Sequence, residues 1–269
     1  MITGAGSGIG AALALQLAAR GCHLALADIN PAGLETTAAS ARRCSVTVST
    51  LVLDVAQPDA GELLLAAVQA AHGRATVLVN NAGVAVGGTF EQVSAADFDW
   101  LMSINFSAVV RLTRAFLPLL QAQPAAQIVN LSSLFGLIAP PGQTAYCAAK
   151  FAVRGFSESL RHELEMAGSP VRLTVVHSGG VRTNIGEASR KPAGTTEAQI
   201  AELRQQWQRL LVLPPEAAAA RILQGIERRE PRVLVGNDAK QGELMQRLFP
   251  VRYWSLMARA LARRAGVRP

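Results

Sequence analysis

Cysteines, aromatic residues and acidic residues are all scarce in this 269-residue sequence. Three cysteines without paired spacing exclude a disulfide framework and a zinc site, and we predict no bound metal. Aromatic residues make up 5% of the chain and hydrophobic residues 50%, so an ample core must be mainly aliphatic. Residues 115–149 carry no charge, but their prolines and polar side chains argue against a membrane span. Because we recognise no signal peptide, we expect a cytoplasmic location.

The positive charge is concentrated at the C-terminal end. The chain has a net charge of +7 and a pI of about 10.1. Residues 240–269 contain seven basic residues and one acidic residue, which leaves the remaining 239 residues with a net charge of about +1. A nearly neutral body is not typical of nucleic-acid binding, so we expect no nucleic-acid partner.

Strand-like runs alternate with helical stretches along the chain. This alternation predicts an α/β fold, with a doubly wound parallel sheet and helices on both faces. We expect one domain over residues 1–236 and a basic amphipathic extension over residues 237–269. The predicted strands are Cys22–Asp28, Val46–Asp54, Thr76–Asn80, Gln127–Leu131, Val171–His177 and Arg232–Val235.

A glycine-rich turn opens the sequence. Residues Thr3–Gly10 (T-G-A-G-S-G-I-G) lead into a helical stretch, and Asp28 follows Gly8 by twenty residues. Such a turn lets the backbone approach a pyrophosphate at a helix N-terminus. An acidic residue at the end of the next strand suits a ribose 2′-hydroxyl. The pair therefore predicts dinucleotide binding.

Tyr146 and Lys150 are four residues apart in Y-C-A-A-K, and Ser133 precedes Tyr146 by thirteen residues. Residues at this spacing share a helix face. An ammonium about 4 Å from a phenolate is worth roughly 4 kcal/mol at an effective dielectric near 20, which predicts a phenol pKa lowered towards about 7. With the Ser133 hydroxyl nearby, the set indicates acid–base chemistry on an alcohol or ketone oxygen.

Together these motifs closely resemble those of the short-chain dehydrogenase/reductase family. Further matches are the segment N-N-A-G at residues 80–83, Asn105 in M-S-I-N, and the pair Asp54-Val55. The resemblance spans about residues 1–236 and implies a Rossmann-type fold, an NAD cofactor, and a homodimer or homotetramer built on the helices that carry Asn105 and Tyr146.

The resemblance also implies two sets of site residues. The catalytic set is Asn105, Ser133, Tyr146 and Lys150. The cofactor-binding set is Gly4, Ser7, Gly8, Ile9, Asp28, Asp54, Val55, Asn81, Ala82, Gly83, Tyr146, Lys150, Gly179, Val181 and Thr183.

Two departures from the family pattern stand out. Ser178 replaces the proline of the family's Pro-Gly segment, while Gly179 and Thr183 keep their places. The family's first strand has five or six residues, whereas only Met1 and Ile2 precede the motif here. We therefore expect the natural polypeptide to begin further upstream.

The predicted activity is interconversion of a secondary alcohol and a ketone with NAD(H). The resemblance implies that the segment after the sixth strand, roughly residues 183–214, folds over the substrate, and the loop after Ser133 adds further apolar residues. We expect a lipophilic substrate because many residues of these two segments are apolar; the alternative interpretation is that several of them belong to a helix core. The alternatives are an NADPH-dependent biosynthetic ketoreductase and a dinucleotide-sensing regulator without turnover. The apolar residues are Leu134, Phe135, Leu137, Ile138, Ile185, Leu203, Trp207, Leu210, Leu211 and Leu213. Arg182 and Arg190 are the candidate anchors for a charged substrate group.

The basic tail has an apolar face at helical spacing, interrupted by Pro250. This face packs on the protein body or a partner subunit, or docks on a membrane or an acidic partner, or else the tail is disordered. Its members are Leu244, Met245, Leu248, Phe249, Tyr253, Trp254, Leu256, Met257, Ala260 and Leu261.

Overall fold

The computed structural model describes residues 1–265, except for the side chains of residues 203, 206 and 260–265. Within these residues, seven strands form one parallel sheet in the order β3-β2-β1-β4-β5-β6-β7. The strands are β1 (Ile2–Thr3), β2 (Leu24–Asp28), β3 (Val48–Val52), β4 (Val77–Asn80), β5 (Ala126–Ser133), β6 (Val171–Ser178) and β7 (Arg232–Val235). The predicted fold class is confirmed.

In the described part of the chain, ten α-helices cover the sheet or follow it. They are α1 (Gly8–Ala18), α2 (Pro31–Arg42), α3 (Ala60–His72), α4 (Ala95–Met102), α5 (Ala108–Gln121), α6 (Thr144–Met166), α7 (Glu197–Leu210), α8 (Pro215–Glu227), α9 (Asn237–Leu248) and α10 (Tyr253–Ala265). A π-helical turn, Ser103–Ser107, joins α4 to α5, and a short 3₁₀ turn, Leu134–Gly136, follows β5.

The core consists of two aliphatic layers, one on each face of the sheet. Leu13, Leu26 and Ile222 belong to the layer under α1, α2 and α8. Leu78 and Phe116 belong to the layer under α3, α5 and α6. Most of these side chains are aliphatic, as the low aromatic content predicted. Among the described residues, no helix combines the length and the apolar character needed to cross a bilayer.

Strand β1 has two residues and still pairs on both sides. Ile2 is in register with Leu26 of β2 and with Val79 of β4. The sheet therefore continues through its centre, and the order reverses direction between β1 and β4. In open parallel sheets, ligands bind at the carboxyl ends of the strands at such a switch point. The expectation of an upstream start stays a prediction.

The first part of the tail packs on the protein body. A Cβ on Gly242 of α9 would lie 2.4 Å from Cδ1 of Leu134, so this helix lies directly against the turn after β5. The hydroxyl of Tyr253 accepts a hydrogen bond from the Ala139 amide at 2.8 Å. Leu244 and Leu248 are more than half exposed. The predicted contributions of Ala260, Leu261 and the later arginines lie outside the described part of the chain.

Candidate functional site

A cleft of about 420 Å³ opens at the switch point. Its lining contains thirteen of the fifteen predicted cofactor-binding residues; Gly179 and Val181 are absent from it. Of the predicted catalytic residues, Tyr146 and Lys150 line the cleft, whereas Ser133 and Asn105 are buried and do not belong to its lining.

The glycine turn forms the part of the cleft next to α1. Gly8 has φ +54°, a left-handed conformation that glycine adopts without steric cost. A Cβ on Gly10 would lie 2.1 Å from the carbonyl oxygen of Gly4, so only glycine permits this approach. The turn thus presents main-chain amides at the start of a helix, where an anionic pyrophosphate is favoured.

Asp28 lies at the carboxyl end of β2, beside the glycine turn. Its Oδ2 accepts a hydrogen bond from the Gly6 amide and its Oδ1 accepts one from the Asn30 amide, both at 2.8 Å. A carboxylate fixed at both oxygens is pre-oriented and keeps lone pairs for further donors, such as ribose hydroxyls.

Thr3 and Asn81 join the glycine turn to the segment after β4. The Thr3 hydroxyl accepts from the amides of Asn81 and Ala82, both at 3.1 Å. The Asn81 side chain donates to the carbonyl oxygens of Thr3 and Gly4 at 2.9 and 3.0 Å. These contacts hold the two sides of the cleft in one arrangement.

Asp54 and Val55 lie after β3 at the same edge. Asp54 Oδ1 accepts from the Ala56 amide at 2.8 Å. Arg111 of α5 reaches this segment and donates to the carbonyl oxygens of Val55 and Ala56, both at 3.1 Å. Nothing in the motifs indicated Arg111, because its partners lie more than fifty residues away in the sequence.

Ser133 ends β5 and is in register with Ser178, the last residue of β6. Its hydroxyl accepts from the Phe135 amide at 3.1 Å and donates to the Ser178 carbonyl oxygen at 3.4 Å. The Ser133 carbonyl oxygen accepts from Nδ1 of buried His177 at 3.1 Å, in the tautomer that carries a proton there. The serine is thus held from both strands.

Tyr146 and Lys150 lie one helical turn apart on α6, as predicted. The Lys150 Nζ atom is 5.6 Å from the centroid of the Tyr146 ring and donates to the Leu131 carbonyl oxygen at 2.9 Å. Phe135 packs edge-on against the Tyr146 ring at 6.1 Å between centroids. The helix therefore brings phenol and ammonium to one cleft.

The predicted lowering of the phenol pKa is wrong. Desolvation by burial raises the pKa of Tyr146 to about 12, and hydrogen bonding with the Ser133 hydroxyl offsets only part of this rise. Burial also lowers the pKa of Lys150 to about 8. The sequence argument placed the ammonium beside the phenolate, whereas the fold buries Lys150, directs its ammonium to the Leu131 carbonyl oxygen and leaves Tyr146 half-buried at the cleft.

Asn105 lies in the π-helical turn between α4 and α5. Its Oδ1 accepts from the Val84 amide at 2.8 Å and its Nδ2 donates to the Val84 carbonyl oxygen at 2.9 Å. A Cβ on Gly83 would lie 3.3 Å from this Oδ1 and 3.6 Å from Lys150 Nζ. Asn105 therefore holds the chain beside the lysine, and its place in the catalytic set stays a prediction.

The segment after β6 is held by a residue that the motifs did not indicate. Asp238 of α9 accepts a hydrogen bond from the Gly180 amide at 2.6 Å. A Cβ on Gly179 would lie 2.0 Å from the same carboxylate, so a side chain there would displace it. Gly179 thus accommodates Asp238, and Thr183, four residues later, lines the cleft.

The predicted apolar residues separate into three groups. Ile185 lines the main cleft, where Trp100 and Ala188 also lie. Trp207 and Leu211 line a second cleft of about 390 Å³, together with Arg182. The others lie elsewhere: Leu137 and Ile138 are in the core, Leu134 packs on α9, Leu213 packs on the core, Leu210 is 60% exposed, and the Leu203 side chain is outside the described part.

Comparison with known proteins agrees with this arrangement. The model of the short chain dehydrogenase family matches residues 1–194. The chain belongs to the short-chain dehydrogenase/reductase family. SadH of Mycobacterium tuberculosis, named as an oxidoreductase, is 41% identical over 263 residues, which are 98% of this chain and 95% of SadH.

Two solved structures of this family contain NAD. A short-chain dehydrogenase/reductase from Burkholderia phymatum in complex with NAD has a TM-score of 0.82 and 31% identity, covering 100% of this chain and 94% of that one. A short-chain dehydrogenase from Mycobacterium paratuberculosis bound to NAD has a TM-score of 0.76 and 25% identity, covering 89% of this chain and 96% of that one. This chain is an oxidoreductase of the same family with a dinucleotide-binding fold.

Proposed function

We propose that this short-chain dehydrogenase interconverts a lipophilic secondary alcohol and a ketone with NAD(H) as cofactor. The observation that carries the proposal is the arrangement of the cleft. Tyr146 and Lys150 line it, the Ser133 hydroxyl is within hydrogen-bonding reach of Tyr146, and Asp28 lines it beside the glycine turn.

Tyr146 is the proposed acid and base. In reduction, its phenol donates a proton to the carbonyl oxygen; in oxidation, the phenolate accepts the hydroxyl proton. The Lys150 ammonium stabilises the phenolate, and the Ser133 hydroxyl donates a hydrogen bond to the substrate oxygen. A nicotinamide cofactor held by the glycine turn and Asp28 would supply the hydride exchange at the carbinol carbon.

The choice of NAD is supported by charge. Asp28 places a fixed carboxylate where the adenosine ribose is expected, and it would repel the 2′-phosphate of NADP. Within the described part of the chain, the cleft lining contains no arginine, and its only lysine is Lys150. The exposed Ile29 follows Asp28 where an NADP site would use a basic residue.

The preference for an apolar substrate is supported by the walls of the cleft. Val84, Trp100, Ile104, Ile185 and Ala188 line it with apolar surface. Arg190, a candidate anchor for a charged group, is paired with Asp97 at 2.8 Å. Arg182, the other candidate, lines the second cleft. A ketone with a carboxylate would therefore find no free basic partner in the cleft lining that the structure describes.

Two other proposals have weaker support. An NADPH-dependent ketoreductase would have to overcome the repulsion from Asp28. A dinucleotide-sensing regulator without turnover would have no use for the set Ser133, Tyr146 and Lys150, so the presence of this set at the cleft argues against it. For the assembly, we propose a homodimer or homotetramer built on the helical segment that carries Asn105, from α4 to α5, and on α6, which carries Tyr146 and where Phe151 is 37% exposed. Light scattering would measure the subunit number.

An activity panel tests the proposal. Purified protein is incubated with NAD or NADP and with pairs of secondary alcohols that differ only by a terminal carboxylate, while reduced nicotinamide is measured by absorbance. We expect turnover of the uncharged alcohols with NAD and at least about 10²-fold lower turnover in Tyr146→Phe. NADH binding without turnover of any alcohol or ketone would favour the regulator instead.

A further inference from the structure

We propose that Arg190 is a positioning residue that latches a substrate-covering flap, residues 184–191, to α4. Its guanidinium carbon lies 3.5 Å from the centroid of the Trp100 ring, and its Nη1 lies 2.8 Å from Oδ1 of Asp97. The latch closes the wall of the cleft around the substrate. This role rests on the proposed function, because it concerns the substrate end of that cleft.

The flap is internally hydrogen-bonded. The Ala188 amide donates to the Asn184 carbonyl oxygen at 2.8 Å, and the Ser189 hydroxyl donates to the Gly186 carbonyl oxygen at 2.7 Å. The Lys191 ammonium donates to the carbonyl oxygens of Glu187 and Ser189, both at 2.8 Å. Residues 184–191 therefore hold together, and their place over the cleft depends on how they are attached to the body.

The main chain of Arg190 supplies one attachment. Its amide donates to the Ala85 carbonyl oxygen, and its carbonyl oxygen accepts from the Gly87 amide, both at 3.1 Å. These two hydrogen bonds form an isolated β-bridge. They open more easily than the hydrogen bonds within a β-strand, because no neighbouring pairs support them. The side chain adds the second attachment, to α4.

The surface that receives the side chain is pre-organised. Asp97 and Trp100 are three residues apart and share one face of α4. The Asp97 Oδ2 accepts from the Ser94 hydroxyl at 2.8 Å, and the Ser94 hydroxyl accepts from the Asp97 amide at 3.1 Å, which caps the helix. Hydrogen bonding to Arg190, followed by Ser94, lowers the pKa of Asp97. The guanidinium thus meets a fixed carboxylate and an aromatic face.

The latch bears directly on the reacting end of the cleft. Trp100 and Tyr146 pack against the same small cluster of buried residues, which includes Val86 and Ala149. Ile185 and Ala188 of the flap line the cleft with Trp100. Release of Arg190 would free this wall while leaving Asp28 and the glycine turn untouched. The expected effect is therefore on substrate binding rather than on NAD binding.

The test compares Arg190→Gln and Arg190→Lys with Arg209→Gln, which removes an exposed arginine of α7 as a matched control. Hydrogen–deuterium exchange measures the Gly87 and Arg190 amides, and NADH fluorescence measures cofactor affinity. In Arg190→Gln we expect about tenfold faster exchange at these amides, an unchanged rate in β5, and NADH affinity within about twofold. Lysine keeps the charge but not the planar stack, so its exchange rate should be intermediate.

With an active substrate, Arg190→Gln should raise KM about tenfold and change kcat much less. Wild-type exchange at both amides in Arg190→Gln would overturn the latch, and so would an unchanged KM. The exchange measurement requires no substrate. The two proposals can therefore fail separately. If only the proposed alcohol–ketone activity is wrong, amide exchange in Arg190→Gln would still become faster, but no alcohol or ketone would react.

Discussion

The ammonium of Lys150 donates a hydrogen bond of 2.9 Å to the main-chain oxygen of Leu131, two residues before Ser133. This contact ties α6, which carries Tyr146, to β5, which ends in the serine. It also explains why the lysine is nearly fully buried, at 4% exposure. The lysine thus has a structural role alongside its proposed electrostatic one, and burial lowers its pKa to about 8.

Lys150→Met should remove a pH-dependent part of the stability. The native state releases this proton near pH 8 and the unfolded chain near pH 10.5, so the lysine makes the wild type more stable as pH rises between these values. The stability difference, wild type minus Lys150→Met, should therefore grow by up to about 3 kcal/mol from about pH 7.5 to about pH 10.5. Urea unfolding measures it, with Lys240→Met as the exposed-lysine control; a constant difference would contradict the buried, lowered pKa.

Tyr146→Phe should lower kcat by at least about 10²-fold, because the variant lacks the proposed proton donor and acceptor. NADH affinity should stay within about threefold, since the glycine turn and Asp28 are unchanged. Steady-state kinetics and a fluorescence titration give the two values. Tyr253→Phe, which changes the other tyrosine, is the matched control and should keep wild-type turnover. Near-normal turnover in Tyr146→Phe would remove the tyrosine from the mechanism.

Asp28→Asn should reduce the preference for NAD over NADP. We expect the wild type to prefer NAD by about 10²-fold or more in kcat/KM, because like-charge juxtaposition costs several kcal/mol. The amide keeps the size of the side chain and removes its charge, so the preference should fall by at least about tenfold. Kinetics with both cofactors measure the ratio, and Glu35→Gln serves as a control for an exposed carboxylate on α2. Equal wild-type efficiency with both cofactors would contradict the role of Asp28.

Deleting residues 240–269 should destabilise the protein in the absence of lipid. The deletion uncovers Leu134 and removes the Tyr253 contact with Ala139, which we expect to cost about 2 kcal/mol or more. Thermal and urea unfolding measure the loss, and Tyr253→Phe should account for only about 1 kcal/mol of it. If the truncated protein keeps its stability but no longer binds anionic vesicles that the full chain binds at low salt, the docking interpretation is correct instead.

The parallel sheet and the cofactor end of the cleft could be predicted because their signals are local. A glycine turn, the strand that ends in Asp28 and the i,i+4 spacing of Tyr146 and Lys150 each depend on a few consecutive residues. Arg111, Asp238 and the Arg190–Trp100 stack could not be predicted in this way. Their partners lie from 55 to 90 residues away in the sequence, and no local pattern records which side chains a fold brings together.

The sequence by itself determined the fold class, the order of the functional motifs along the chain, and the residue types available for proton transfer. Only the tertiary structure decided their electrostatic state. Whether Lys150 lowers the pKa of Tyr146 depends on how much water reaches the pair and where the ammonium points. Both depend on the packing between β5 and α6. This packing raises the pKa of Tyr146, whereas helical spacing alone predicted a lowered pKa.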